Sequence, residues 1–142
     1  MMAQTDFSLS LELLTGIDVG DPEDLENAPT PLVRDILRSW KKPLCQLTDW
    51  EIGRLVAQHD GYPYVLDLVW PKLRVDPLFE GAYYPGDVLS LLIQADLEIW
   101  ADRPGYKAEL GILYHRALKR PAEENDTFRK TLNLPDSDAT VN

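Results

Sequence analysis

The chain has 142 residues, 44% hydrophobic and 27% charged, with four Trp and six Tyr: enough apolar material for one packed domain, and too little length for two. A net charge of −10 at pH 7 disfavours nucleic acid and anionic lipid and favours a positively charged partner. Met1–Ser10 lacks the features of a secretory signal, no window reaches the roughly 18 apolar residues of a membrane span, and the single cysteine, Cys45, fits a reducing compartment; the expected location is the cytoplasm.

Phe7 to Leu14 reads as a short helix ending near Gly16, followed by an acidic, loop-like stretch over residues 17–30. Thr30 then supplies an N-cap and Pro31 a first helical residue, and Leu32, Val33, Ile36, Leu37 and Trp40 fall on one stripe. Lys41 and Lys42 suit the last turn of that helix and Pro43 stops it. Thr48 and Glu51 have the spacing of a capping box, and Ile52, Leu55, Val56 and His59 continue as an amphipathic face up to Asp60-Gly61. Residues 62–75 fit a buried strand or a helix opening at Pro63; Pro71 complicates both, and a helix is the preferred reading. A loop runs from Asp76 to Gly86, after which Asp87 is placed as the cap of Val88–Ile93, a run apolar nearly all round and therefore expected in the middle of the core. Tyr106, Leu110, Leu113, Tyr114, Ala117 and Leu118 mark a further helix after Pro104, and Phe128 with Leu132 a last short one. The predicted class is all-α, a single domain over residues 1–134 with about six to seven helices, and a polar tail over residues 135–142.

The residues that usually carry chemistry are sparse. There is no Gly-rich phosphate loop, no His-Glu-x-x-His and no cysteine pair. His59 ends an apolar stripe and reads as a core or boundary residue, while His115 has no carboxylate at helical spacing to orient it. Cys45 lies in a connector and reads as structural or incidental. Asp21, Glu23, Asp24 and Glu26 offer oxygen ligands but lack the Asp-x-Asp-x-Asp-Gly pattern of a calcium loop. An enzyme is not expected, and neither a metal nor a cofactor; a small hydrolase or metal-dependent enzyme would depend on His59 or on the carboxylates of residues 21–26.

The charge is unevenly distributed. Residues 1–33 hold Asp6, Glu12, Asp18, Asp21, Glu23, Asp24 and Glu26 with no Lys or Arg, and residues 75–102 hold Asp76, Glu80, Asp87, Asp96, Glu98 and Asp102, again with no base. Within the second tract, Phe79, Tyr83 and Tyr84 add aromatic area among prolines and glycines, the mixture found at the centre of protein interfaces. Phe79 can pack onto the core, but an adjacent pair such as Tyr83-Tyr84 cannot easily point inward together, so one is expected to be exposed. Asp18, Asp21, Glu23, Asp24, Asp76, Glu80, Tyr83, Tyr84 and Asp87 are the candidate contact residues for a basic protein partner.

Several segments carry a family likeness. Thr30-Pro31-Leu32-Val33-Arg34, Lys41-Lys42-Pro43-Leu44 and Leu47-Thr48 come first, then Gly61-Tyr62-Pro63-Tyr64-Val65-Leu66. The clearest are Asp76-Pro77-Leu78-Phe79-Glu80-Gly81 and Tyr84-Pro85-Gly86-Asp87-Val88-Leu89, with Leu14-Thr15-Gly16-Ile17-Asp18-Val19-Gly20-Asp21-Pro22 nearer the start. In order and spacing these resemble the immunity proteins of contact-dependent growth inhibition (CDI) systems over most of residues 11–100, with Pro71 and Val19 as departures and no signature in residues 101–142. The resemblance implies an all-α inhibitor, monomeric when free, that binds the C-terminal toxin domain of a CDI effector one to one. Many such toxins are basic nucleases, which an acidic inhibitor would suit. The alternative is an acidic adaptor or regulator of another basic protein.

Overall fold

Local chemistry sets the helix boundaries in the computed structural model, which describes residues 5–21 and 27–134. Ser10 opens α1 (Leu11–Thr15) by accepting the Leu13 N–H, and Gly16, at φ 74°, closes it in the left-handed conformation. Thr30 caps α2 (Pro31–Lys41) through the Val33 N–H, with Pro31 in the first turn. α3 (Asp49–Ala57) starts on the capping box: the Glu51 N–H donates to Thr48 Oγ1 at 3.1 Å, and the Thr48 N–H donates back to Glu51 Oε1 at 3.0 Å. The chain continues through α4 (Tyr64–Val75), α5 (Asp87–Gln94), α6 (Pro104–Leu118) and α7 (Ala122–Thr131), with 3-10 turns at Leu44–Gln46 and Leu97–Trp100. Extended pairing among the described residues is limited to an isolated bridge between Ser10 and Pro43, and the class is all-α.

The helix preferred for residues 62–75 forms, and two other boundaries differ from the sequence expectation. Pro71 sits on the exposed side of α4, so the helix loses one internal bond and continues. The stripe of α3 stops short of His59, which is exposed and left-handed at φ 53° rather than part of the buried face. α7 starts at Ala122, six residues before Phe128, and ends at Thr131 with Leu132 as its C-cap; its added length comes from a polar, largely solvated face.

The short helix α5 lies at the centre, against α3, α6 and α7. Val88, Leu89 and Leu92 are fully buried there and meet a core built from Leu55, Val56, Val65, Leu66, Val69, Trp70, Leu73, Leu113, Ala117 and Phe128. Burial of each such side chain contributes roughly 1.5–3 kcal/mol, so a helix of eight residues, too short to persist alone, is held by its surroundings. Along the α4–α6 seam, Trp70 stacks on Tyr106 at 4.5 Å and meets Trp100 edge-on at 5.8 Å. The seam is closed by Arg103, whose Nε and Nη2 donate to Asp67 at 2.9 and 2.8 Å; Tyr106 and Thr5 donate to the same carboxylate. No helix of the described residues is long and apolar enough to cross a membrane.

Candidate functional site

Asp76 ends α4 and begins a loop whose frame is made almost entirely of main-chain groups. The Leu78 N–H donates to Asp76 Oδ1 at 2.9 Å, the Gly86 N–H donates to the Leu78 carbonyl at 2.9 Å, and the Asp87 N–H donates to the Tyr84 carbonyl at 3.0 Å. Asp87 is fully buried, and its carboxylate accepts the N–H groups of Gly81 (2.7 Å), Ala82 (2.9 Å) and Tyr83 (2.9 Å). This corrects both expectations for Asp87: Gly86, not Asp87, is the N-cap of α5, and the side chain is turned onto the loop behind it instead of lying on a contact surface. A buried charge is tolerated there because three donors replace its water.

The loop is also pressed onto α3. A Cβ on Gly53 would lie 2.4 Å from the Ala82 nitrogen, and one on Gly81 would lie 2.6 Å from the Gly53 Cα, so only glycine at both positions permits this approach of two backbones. On this frame Glu80 is exposed, Tyr83 is 54% exposed and Tyr84 is half-buried, as expected for a tyrosine pair that cannot both turn inward. Phe79 packs against the core, with Lys72 Nζ 5.4 Å above its ring. Asp76 is engaged by Arg120 at 2.7 Å.

The other candidate residues lie elsewhere. Glu12 on α1 accepts from Lys41 and from the Val19 N–H, shaping a shallow cleft of about 410 Å³ lined by Glu12, Leu13, Gly16, Ile17, Asp18 and Lys41. Asp18 accepts the Gly20 N–H at 2.8 Å, a bond that lowers its pKa; both Asp18 and Asp21 are exposed. Glu23 and Asp24 fall outside the described residues. α1 meets the first turn of α4, where Tyr64 Oη donates to the Leu14 carbonyl, whereas Asp76 ends the last turn of that helix. Twelve residues at 1.5 Å each put about 18 Å of helix between the two anchor points. The two acidic groups therefore do not merge into one cluster.

Residues 19–110 match the family model of the CDI immunity proteins, a span of more than half the chain. The chain belongs to that family. No curated protein and no solved structure matches it.

The matched span of this immunity protein runs from the acidic loop through α2, α3, α4 and α5 into the first half of α6, and contains the whole loop from Asp76 to Gly86. Its acidic tracts are partly engaged within the fold: Glu12 by Lys41, Asp76 by Arg120, Asp87 by main-chain donors. Asp6, Asp18, Asp21, Glu80, Asp96, Glu98 and Asp102 are exposed. Among the described residues no three of His, Cys, Asp and Glu are grouped to hold a metal ion. His59 and His115 are exposed, and His115 lies edge-on to Tyr114 at 5.4 Å. The sequence signals for the loop frame were a glycine inside a helix, Gly53, and a carboxylate directly after Pro-Gly, Asp87; neither names its partner, since both meet backbone.

Proposed function

We propose that this CDI immunity protein neutralises the C-terminal toxin domain of a CDI effector by binding it directly, one to one, in the cytoplasm of the cell that makes it, and that the toxin domain is a basic nuclease. Family membership supports the inhibitory role. The observation that carries the binding reading is the frame of the loop from Asp76 to Gly86: held by Asp87 and by the Gly53–Gly81 contact, it loses little entropy on docking. Glu80 and Asp18 with Asp21 supply negative charge that speeds encounter with a basic surface, and Tyr83 supplies anchoring area that slows release. In this reading Asp18, Asp21, Glu80, Tyr83 and Tyr84 touch the toxin, Glu23 and Asp24 extend the charge beside Asp21, and Asp76 and Asp87 position the loop. An interface of ordinary size, roughly 800 Å² on each partner, spans both ends of α4.

Co-expression of the chain with its cognate CDI toxin domain tests this. The two copurify, the purified toxin domain degrades RNA or DNA, and added immunity protein stops it. Reversing Asp18 and Glu80 together to Lys slows association by about tenfold at low salt, and the difference shrinks as salt is raised. Separate elution of the two proteins would overturn binding, a toxin domain inert towards nucleic acid would overturn the nuclease assignment, and an unchanged salt dependence would remove these carboxylates from the interface.

A further inference from the structure

Trp40, Trp70 and Trp100 are buried, but Trp50 is 43% exposed. It stands on the outward side of α3, away from Ile52, Leu55 and Val56, which face the core. One turn on, the guanidinium of Arg54 lies over the Trp50 ring, 4.5 Å from its centroid. Stacking fixes this cation in place without neutralising it. Among the described residues no carboxylate pairs with Arg54, and its Nε, shielded from water, has no acceptor, although the chain holds 24 carboxylates against 14 Lys and Arg.

Gly53 lies between Trp50 and Arg54 in the sequence, and Gly81-Ala82, the residues just before the exposed Tyr83, press on it. At the start of α3, Asp49 forms an ion pair with Lys72 at 3.5 Å, and Lys72 also caps the Phe79 ring, joining the helix and the loop along a second edge. The exposed face of α3 and the loop tip therefore form one continuous surface. Its prominent side chains are a Trp, an Arg and a Tyr, the types that dominate binding energy when truncated.

We infer that this surface is the centre of the toxin contact, and that the toxin brings a carboxylate to Arg54 beside a flat apolar patch that covers Trp50 and Tyr83. The inference rests on the reading that the chain binds a toxin domain, and it adds a cationic, aromatic centre to an otherwise acidic contact. A partner that is basic overall but presents one carboxylate in an apolar setting meets both the surrounding acids and the unpaired Arg54.

Calorimetric titration of the cognate CDI toxin domain, made inactive, into wild-type chain and into Trp50→Ala, Arg54→Gln and Ile112→Ala separates the two ideas. Trp50→Ala weakens binding by about 30-fold or more and Arg54→Gln by about tenfold; Ile112→Ala, exposed on α6, changes nothing. If the wild type fails to bind, the proposed function falls. If the wild type binds and the two α3 variants stay within twofold of it, only the inference made here falls. Acrylamide quenching guards against an unfolded variant: the wild-type signal missing from Trp50→Phe becomes protected in the complex, and unchanged quenching of that component overturns the inference.

Discussion

A carboxylate in the first turn of a helix ordinarily complements that helix's own N–H groups, yet Asp87 faces the loop behind it. Its three bonds make the side chain a hub, and its loss leaves three main-chain donors without an acceptor. Asp87→Ala is expected to lower stability by about 3 kcal/mol and Asp87→Asn, which keeps one acceptor oxygen, by about half as much. Urea denaturation measures both, and a midpoint equal to wild type for the alanine variant would contradict the role. Reversing Asp76 or Asp87 therefore reports on folding rather than on docking; Glu80 and Asp18 are the informative positions. At this scale the sequence shows residue type but not direction. The Tyr83-Tyr84 pair could be read because two adjacent large side chains cannot share one inward path. Asp87 could not, since its partners are amides that any residue supplies.

Among elements, α3 and α5 were legible and the contact between α3 and the loop was not. The capping box and apolar stripe identify α3, and the all-round apolar run places α5 in the core. Residues 62–75 fit a strand or a helix by pattern, because a short apolar run with a proline satisfies both; the preferred helix is what forms, with Val65, Leu66, Val69, Trp70 and Leu73 buried on one side of α4. Two glycines make the helix–loop contact testable. Helix propensity alone favours Ala over Gly by about 1 kcal/mol within a helix. At Gly111, on the exposed side of α6 with nothing near a new Cβ, that preference acts unopposed, and Gly111→Ala raises stability by about 0.5–1 kcal/mol. At Gly53 the new methyl meets the Ala82 nitrogen, so Gly53→Ala loses about 2 kcal/mol or more despite the same preference. Thermal midpoints shifting in opposite directions are the expected outcome, and a gain at both positions would disprove the close packing of loop on α3.

For the molecule as a whole, charge and fold act in opposite directions with pH. At neutral pH a net charge of −10 strains the compact state by self-repulsion, which eases as protons are taken up. Against this stand carboxylates held low in the fold. Burial pushes Asp67 up, but bonds from Arg103, Thr5 and Tyr106 outweigh it; burial likewise pushes Glu51 up against Lys42 and Thr48, which prevail. The bond from Arg74 holds Glu109 low. A carboxylate lowered on folding contributes stability above its unfolded pKa, near 4, and that contribution is lost as pH falls through the lower folded value. Stability is thus expected to pass through a maximum near pH 5, with the neutral side flattened by salt and the acid side blunted in Asp67→Asn. Melting curves from pH 3 to 8 check this, and a steady rise across the range would refute it. The same whole-molecule view explains why two base-free tracts in the sequence did not become one acidic face. Both contribute exposed acids, but the cleft beside α1 and the loop tip are anchored at opposite ends of α4, a separation invisible to linear charge counting.

Because Asp87 grips main-chain amides, the clasp does not depend on the side chains at positions 82 and 83, while Gly81 is fixed by its contact with α3. Positions 80 and 83 can accept new side chains while the scaffold beneath them stays intact. An inhibitor built in this way can be retuned to a diverged toxin one exposed residue at a time, with partner choice free to drift while foldability is left alone.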